Sequence, residues 1–163
     1  KGINTGKSII DEESLEFAKT MIEKYPEKIV LPVDVNAFEE FNNDSNNRFV
    51  KVEELTENEM GLDIGPETIE LFTNILRDAK TVFWNGPLGV YEFEKCTTGS
   101  KKLLEALVNF GTTTILGGGD IVAAAGDLGY KDKVTHASTG GGATLEYMEG
   151  KELPGLSCIP END

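Results

Sequence analysis

The second half of the chain repeats one arrangement three times: a short β-branched or aromatic run, a glycine cluster, then a helical pattern. Thr81–Trp84 (TVFW) leads into Asn85-Gly86-Pro87-Leu88-Gly89, and a helix is expected over roughly Gly99–Asn109, with Leu103, Leu104, Leu107 and Val108 on its apolar face. Thr113–Leu116 (TTIL) leads into Gly117-Gly118-Gly119-Asp120 and an Ala-rich helix. Val134–Ser138 leads into Thr139-Gly140-Gly141-Gly142-Ala143 and a helix through Glu149. Strand, loop and helix in this order predict an α/β fold, an open parallel sheet with helices on both faces in the Rossmann-like manner. Such sheets bind ligands beyond the carboxyl ends of their strands, so the three glycine-rich loops are expected on one rim.

The first half is read less regularly. Asp11 is expected to cap a helix over residues 12–25, with Leu15, Ala18, Met21, Ile22 and Tyr25 on one face. Lys28–Val33 (KIVLPV) reads as a buried strand, Asn42–Asn47 as a solvated loop and Phe49–Val52 as a brief strand. Gly65-Pro66 opens a helix with Ile69, Phe72, Leu76 and Ala79 on its apolar face, Pro66 fitting a first turn that has no use for its N–H. The tail from Leu153-Pro154-Gly155 onward reads as extended.

At 163 residues the length suits one globular domain, and 39% hydrophobic residues supply a core. The chain starts at Lys1 and reads as a piece of a longer protein. A formal net charge of −14 opposes nucleic acid or an anionic membrane as partner. A small phosphate ligand is still compatible, provided that backbone N–H groups, helix N-termini and a cation do the binding. Two distant cysteines, Cys96 and Cys158, make neither a disulfide framework nor a cysteine zinc site, which fits a reduced, cytoplasmic protein.

Gly117-Gly118-Gly119-Asp120-Ile121 has the make-up of a phosphate cradle. Glycines admit close approach of a backbone, the helix start offers unpaired N–H donors, and Asp120 could hold Mg²⁺ bridging phosphate oxygens. The same residues fit a capped tight turn equally well. Ser138-Thr139-Gly140-Gly141-Gly142-Ala143 presents the same two choices, an anion cradle or a capped helix. Trp84-Asn85-Gly86-Pro87-Leu88-Gly89-Val90-Tyr91-Glu92 offers Asn85 and Glu92 to a phosphate or sugar and Val90 to a base, or is an ordered loop with a solvated Glu92. Gly2-Ile3-Asn4-Thr5-Gly6-Lys7-Ser8 is one residue short of a P-loop. His136, the single histidine, reads as structural, and no nucleophilic triad is evident.

Leu62-Asp63-Ile64-Gly65-Pro66, Trp84-Asn85-Gly86-Pro87, Gly117-Gly118-Gly119-Asp120, Ser138-Thr139-Gly140-Gly141-Gly142-Ala143 and Leu153-Pro154-Gly155 together resemble phosphoglycerate kinases in order and spacing, over essentially the whole chain. Gly6-Lys7-Ser8 matches that family's segment leading to a helix, which accounts for the near P-loop. The resemblance implies a two-domain hinge kinase that passes a phosphoryl group between 1,3-bisphosphoglycerate and Mg-ADP, giving 3-phosphoglycerate and Mg-ATP in glycolysis. Residues 1–163 would then be the latter part of its nucleotide-binding C-terminal domain, with the N-terminal domain absent.

Carried over by position, the resemblance implies that Leu62 and Val90 line the adenine slot, Glu92 binds the ribose hydroxyls and Asn85 approaches the phosphates. Gly118, Gly119 and Asp120 would hold the phosphates and Mg²⁺, and Gly140, Gly141 and Gly142 the moving phosphoryl group. Ile121 stands where the family has Thr or Ser; its side chain is expected to face the ligand without the hydroxyl's hydrogen bond, the alternative being that it turns inward and packs beneath the Ala-rich helix. Phosphoryl transfer needs positioning and charge stabilisation more than a nucleophile, so the missing triad is no objection. Two rival readings are a non-catalytic nucleotide-binding or structural fragment and an NAD-dependent oxidoreductase. The second lacks GxGxxG and its acidic partner.

Overall fold

A computed structural model of the chain describes residues 1–159. They group into two compact units, one made of residues 1–75 and 88–103, the other of residues 76–87 and those from 104 onward.

The first unit is built on a central strand with two antiparallel neighbours. β1 (Asp34–Phe38) pairs with β2 (Asn47–Lys51) on one side and β3 (Met60–Ile64) on the other. Side chains alternate across β1, as the pleat requires. Ala37 faces a cluster with Val35, Val50 and Leu55, whereas Phe38 packs with Leu62, Cys96, Met60, Val90 and Phe93. The β1–β3 register shifts between Asn36 and Ala37 and skips Leu62, so β3 bulges just before the turn Asp63-Ile64-Gly65-Pro66.

That turn opens α2 (Pro66–Leu76), whose cap lies far off in sequence. Gly65 has no side chain to accept from the helix's first N–H groups. Asp34 does so from the start of β1: Oδ2 accepts from Glu67 N at 3.0 Å and Oδ1 from Thr68 N at 2.7 Å. The Thr68 hydroxyl donates to Asp34 Oδ1 at 2.6 Å and accepts from Val33 N at 2.9 Å. A Cβ on Gly65 would collide with the Asp34 carboxylate, so glycine is required there by close approach. Nearby, Glu59 accepts a two-pronged bond from Arg48 at 2.6 and 2.9 Å, and that guanidinium holds its carboxyl down at about 2.

Several expectations for this half are corrected. Lys28–Val33 joins no sheet among the described residues; Val30, Leu31 and Val33 are exposed, and the strand begins at Asp34 instead. Proline at residue 32 lacks the N–H a ladder needs, and the run is followed by a residue committed to capping α2. α1 (Leu15–Lys24) is a helix as expected, but none of its residues is buried, and Leu15 and Phe17 are exposed. Asp11 serves the preceding turn, accepting from Glu13 N and the Ser14 hydroxyl, while Ser14 takes the N-cap position. Ala79 lies past the end of α2.

The second unit carries the parallel sheet. β4 (Thr81–Trp84), β5 (Thr113–Gly117) and β6 (His136–Ser138) lie side by side in that order, all parallel. α3 (Thr98–Phe110) links β4 to β5, and α4 (Gly119–Asp127) links β5 to β6; the boundary between the units falls within α3. Leu104, Leu116, Ile121, Val122 and Ala125 form its core, with Trp84, Tyr130 and Val134 packed against them. The α/β class and its parallel sheet flanked by helices therefore hold. The antiparallel sheet of the first unit was not anticipated. α5 (Gly141–Met148) follows β6, and the tail makes a short helix, α6 (Pro154–Ser157), where extended chain was expected. The end of that tail, residues 160–163, lies outside the described residues.

Candidate functional site

The parallel registers bring the carboxyl ends of β4, β5 and β6 to one edge of the second unit, because Trp84 sits opposite Leu116 and Gly117 opposite Ser138. The loops leaving these ends meet. The Asn85 side-chain amide donates to Gly117 O at 2.5 Å, and Gly118 N donates to Ser138 O at 2.8 Å. A Cβ built on Gly141 would stand 3.0 Å from both Asn85 Nδ2 and Gly118 Cα. Gly118 has φ +131° and caps α4, a conformation only glycine takes at ease. Asn85, Gly118 and Gly140–Gly142 are thus joined into one backbone surface.

Two helices start on that surface. The first turn of α4 is Gly119, Asp120 and Ile121, and helix geometry leaves their N–H groups without partners four residues back. Gly119 has nothing within 4 Å of its would-be Cβ, and Asp120 is exposed. At α5, Gly140 N bonds the Ser138 hydroxyl, Gly141 N bonds Thr139 O, and the Thr144 hydroxyl turns back to Gly140 O at 2.6 Å. Gly142, like Gly119, borders open space. Two helix N-termini with bare backbone between them are the arrangement that holds phosphate oxygens. Among the described residues no cluster of three His, Cys, Asp or Glu forms a metal cage. Mg²⁺ needs only one or two carboxylates plus substrate phosphates, and Asp120 is an exposed carboxylate in the first turn of α4.

Ile121 departs from expectation. Its side chain is fully buried against Leu104 and Leu116, so it points into the core, and only its backbone N–H belongs to the α4 N-terminus. Ile121 belongs to the buried face of α4 together with Val122, Ala124 and Ala125, and spacing from Asp120 alone did not decide this. Ile121→Thr is therefore expected to lower stability by about 1–3 kcal/mol, the cost of burying an unpaired hydroxyl. Nucleotide affinity should stay at the parent value. Tighter Mg-nucleotide binding at an unaltered melting temperature would restore the ligand-facing assignment.

The first unit carries Leu62, Val90 and Glu92. Val90 N donates to Leu62 O at 2.9 Å and both side chains join the Phe38–Cys96 cluster, Leu62 buried and Val90 half-buried. Glu92 is exposed two residues on. Beneath them lies Asp63, which attracted no role in the sequence beyond its motif. Its carboxylate is 4% exposed and accepts from Gly99 N at 3.0 Å and Ile64 N at 2.8 Å, tying β3 to the first turn of α3. Burial pushes its carboxyl up to about 6, against the pull of those two N–H groups. A Cβ on Gly89 or Gly99 would strike Asp63, so both ends of the segment 89–99, which carries Val90 and Glu92, are seated on it. The Cys96 thiol alongside is buried and pushed up to about 12, an unreactive core sulfur.

The near P-loop has another task. Gly6, at φ +58°, packs against the backbone of Thr56 and Glu59, and Lys7 N bonds Glu59 O at 2.8 Å. No helix follows it within reach of a phosphate; α1 starts at Leu15.

The family model for phosphoglycerate kinase matches residues 1–151. The chain belongs to the phosphoglycerate kinase family. Among curated relatives, the enzyme of Lactobacillus delbrueckii subsp. bulgaricus is 52% identical over 162 residues, which cover 99% of this chain and 40% of that protein. The enzyme of Listeria welshimeri is 51% identical and is covered to 41%. The chain thus spans about two-fifths of the relatives' length. Solved phosphoglycerate kinases from Coxiella burnetii (TM-score 0.89, 36% identity, 96% of this chain and 41% of that one) and Pyrococcus horikoshii OT3 (TM-score 0.77, 29% identity, 89% and 36%) share the fold. Among the described residues no helix is long and apolar enough to cross a membrane.

Proposed function

We propose that this chain supplies the nucleotide side of a phosphoglycerate kinase, working in the cytoplasm as the latter part of its C-terminal domain. The full-length protein would pass a phosphoryl group between 1,3-bisphosphoglycerate and Mg-ADP, yielding 3-phosphoglycerate and Mg-ATP. An N-terminal domain outside these residues would bring the glycerate substrate. The observation that carries this reading is the joined surface of Asn85, Gly118 and Gly141 at the N-termini of α4 and α5.

In this reading the N–H groups of Gly119, Asp120 and Ile121 bind nucleotide phosphates, with Gly118 setting the turn, and Asp120 takes the Mg²⁺ that accompanies them. The metal would neutralise charge on the phosphate oxygens. Gly140, Gly141 and Gly142 present the start of α5 to the phosphoryl group in transit. The Gly140 and Gly141 N–H groups are bonded within the turn, so the donors left at this helix start are the N–H groups of Gly142 and Ala143, which are fixed in advance and cost no reorganisation as charge develops there. Asn85 holds the two loops in register through Gly117 O. Leu62 and Val90 contribute apolar surface for the base, and Glu92 accepts from the ribose hydroxyls. The chain by itself would be a nucleotide-binding module without turnover.

Asp120→Ala tests the reading. Calorimetry on the full-length protein should show ADP affinity that rises with Mg²⁺ in the parent and loses most of that dependence in the variant. Equal Mg²⁺ dependence in both would remove Asp120 from the metal.

A further inference from the structure

Asn36 is an odd residue for its place. It sits in the middle strand of the antiparallel sheet, 2% exposed, on the face where Phe38 meets Cys96 and Phe93. A β-branched side chain would suit a central strand better, and a buried amide is costly unless bonded. Both ends of Asn36 are bonded. Oδ1 accepts from the Asn47 side chain on β2 at 2.9 Å, and Nδ2 donates to Lys95 O at 3.1 Å. Lys95 is gripped again from the β1–β2 hairpin: its N–H donates to Asn43 Oδ1 at 3.4 Å and its ammonium to Ser45 O at 3.2 Å. Phe41 of the same hairpin packs against Phe93, ring centroids 4.9 Å apart and planes tilted by 50°.

Lys95 follows Glu92 by three residues, in one run of turns: Phe93 N bonds Val90 O at 2.9 Å and Cys96 N bonds Phe93 O at 2.8 Å. Holding Lys95 by its N–H, its carbonyl and its side chain fixes the turn that presents Glu92. The Asn-rich segment read from sequence as a solvated loop is thus a clamp on this turn. We propose that the β1–β2 hairpin, through Asn36 and Asn43, positions Glu92 for the nucleotide's sugar, so that Asn36 is a positioning residue for ribose recognition. This rests on the reading of Glu92 as the ribose contact.

The test uses the full-length protein and compares the Kd of ADP with that of 2′,3′-dideoxy-ADP, in the presence of Mg²⁺. Hydrogen bonds to a carboxylate should make the parent prefer ADP by roughly 10-fold or more. Glu92→Ala should bring the ratio near one. Asn36→Val should cut the ratio at least about threefold while leaving dideoxy-ADP affinity and saturated kcat close to the parent's, and Asn43→Ala should move it the same way. Asn43 lies at the hairpin tip outside the strand pairing, so its variant decides the matter if Asn36→Val fails to fold. A collapsed ratio in Glu92→Ala with a parental ratio in the folded hairpin variants overturns the positioning role alone. A parental ratio in Glu92→Ala overturns the ribose reading, and the positioning role with it.

Discussion

Gly142→Ala in the full-length protein is expected to lower kcat by roughly 100- to 1,000-fold, the cost of spoiling one preorganised oxyanion donor. The reason to choose Gly142 is that the fold does not ask for glycine there. Its φ is not in the left-handed region, its would-be Cβ has nothing within 4 Å, and it lies in the first turn of α5. Alanine in a helix is favoured over glycine by up to about 1 kcal/mol. The variant should therefore melt at or above the parent's temperature while losing turnover, because its methyl occupies the space above the donors. Gly141 could not separate the two effects: its methyl would press on Asn85 and Gly118, disturbing the cradle and the fold together. A Gly142→Ala protein that turns over normally would take the α5 N-terminus out of the chemistry.

Asp34→Ala should be the most damaging single change to stability, at about 3–5 kcal/mol, seen as a shifted denaturation midpoint with unchanged slope. Three hydrogen bonds end on that carboxylate, two of them from the first N–H groups of α2, at a residue 3% exposed. Alanine leaves Thr68 N buried and Glu67 N half-buried without their acceptor, which costs more than the bonds were worth, while the Thr68 hydroxyl keeps the Asp34 carbonyl at 3.0 Å. Asp34→Asn keeps one acceptor and should cost about half as much. A loss below about 1 kcal/mol for alanine would mean that Gly65 and Pro66 hold α2 without help.

The second unit was legible because its signals are local. A glycine run at a strand's end followed by an Ala-rich helix specifies strand, turn and helix within one short stretch of chain, and Thr113–Gly117 and Gly119–Asp127 appear where that pattern puts them. The first unit depends on partners distant in sequence. Asp34 caps a helix that begins at Pro66, Asp63 meets Gly99, and Asn36 meets Lys95; no window around Asp34 or Asn36 contains the residue that explains it. β1 starts just past the apolar run Lys28–Val33 that reads as a strand, and its buried aspartate and asparagine give it no continuous apolar signal of its own. Ile121 shows the complementary failure. Its neighbourhood to Asp120 pointed outward, whereas helix rotation, about 100° per residue, turned it into the core.

The most direct measurement is amide chemical-shift mapping on the full-length, isotopically labelled protein titrated with Mg-ADP. The amides of Gly119, Asp120 and Ile121 at the start of α4 should move most, with saturation at one common Kd, and should respond far less when Mg²⁺ is withheld or Asp120 is alanine. Saturation by Mg-ADP that leaves those amides unmoved, with the large shifts elsewhere, would contradict a phosphate cradle at this helix.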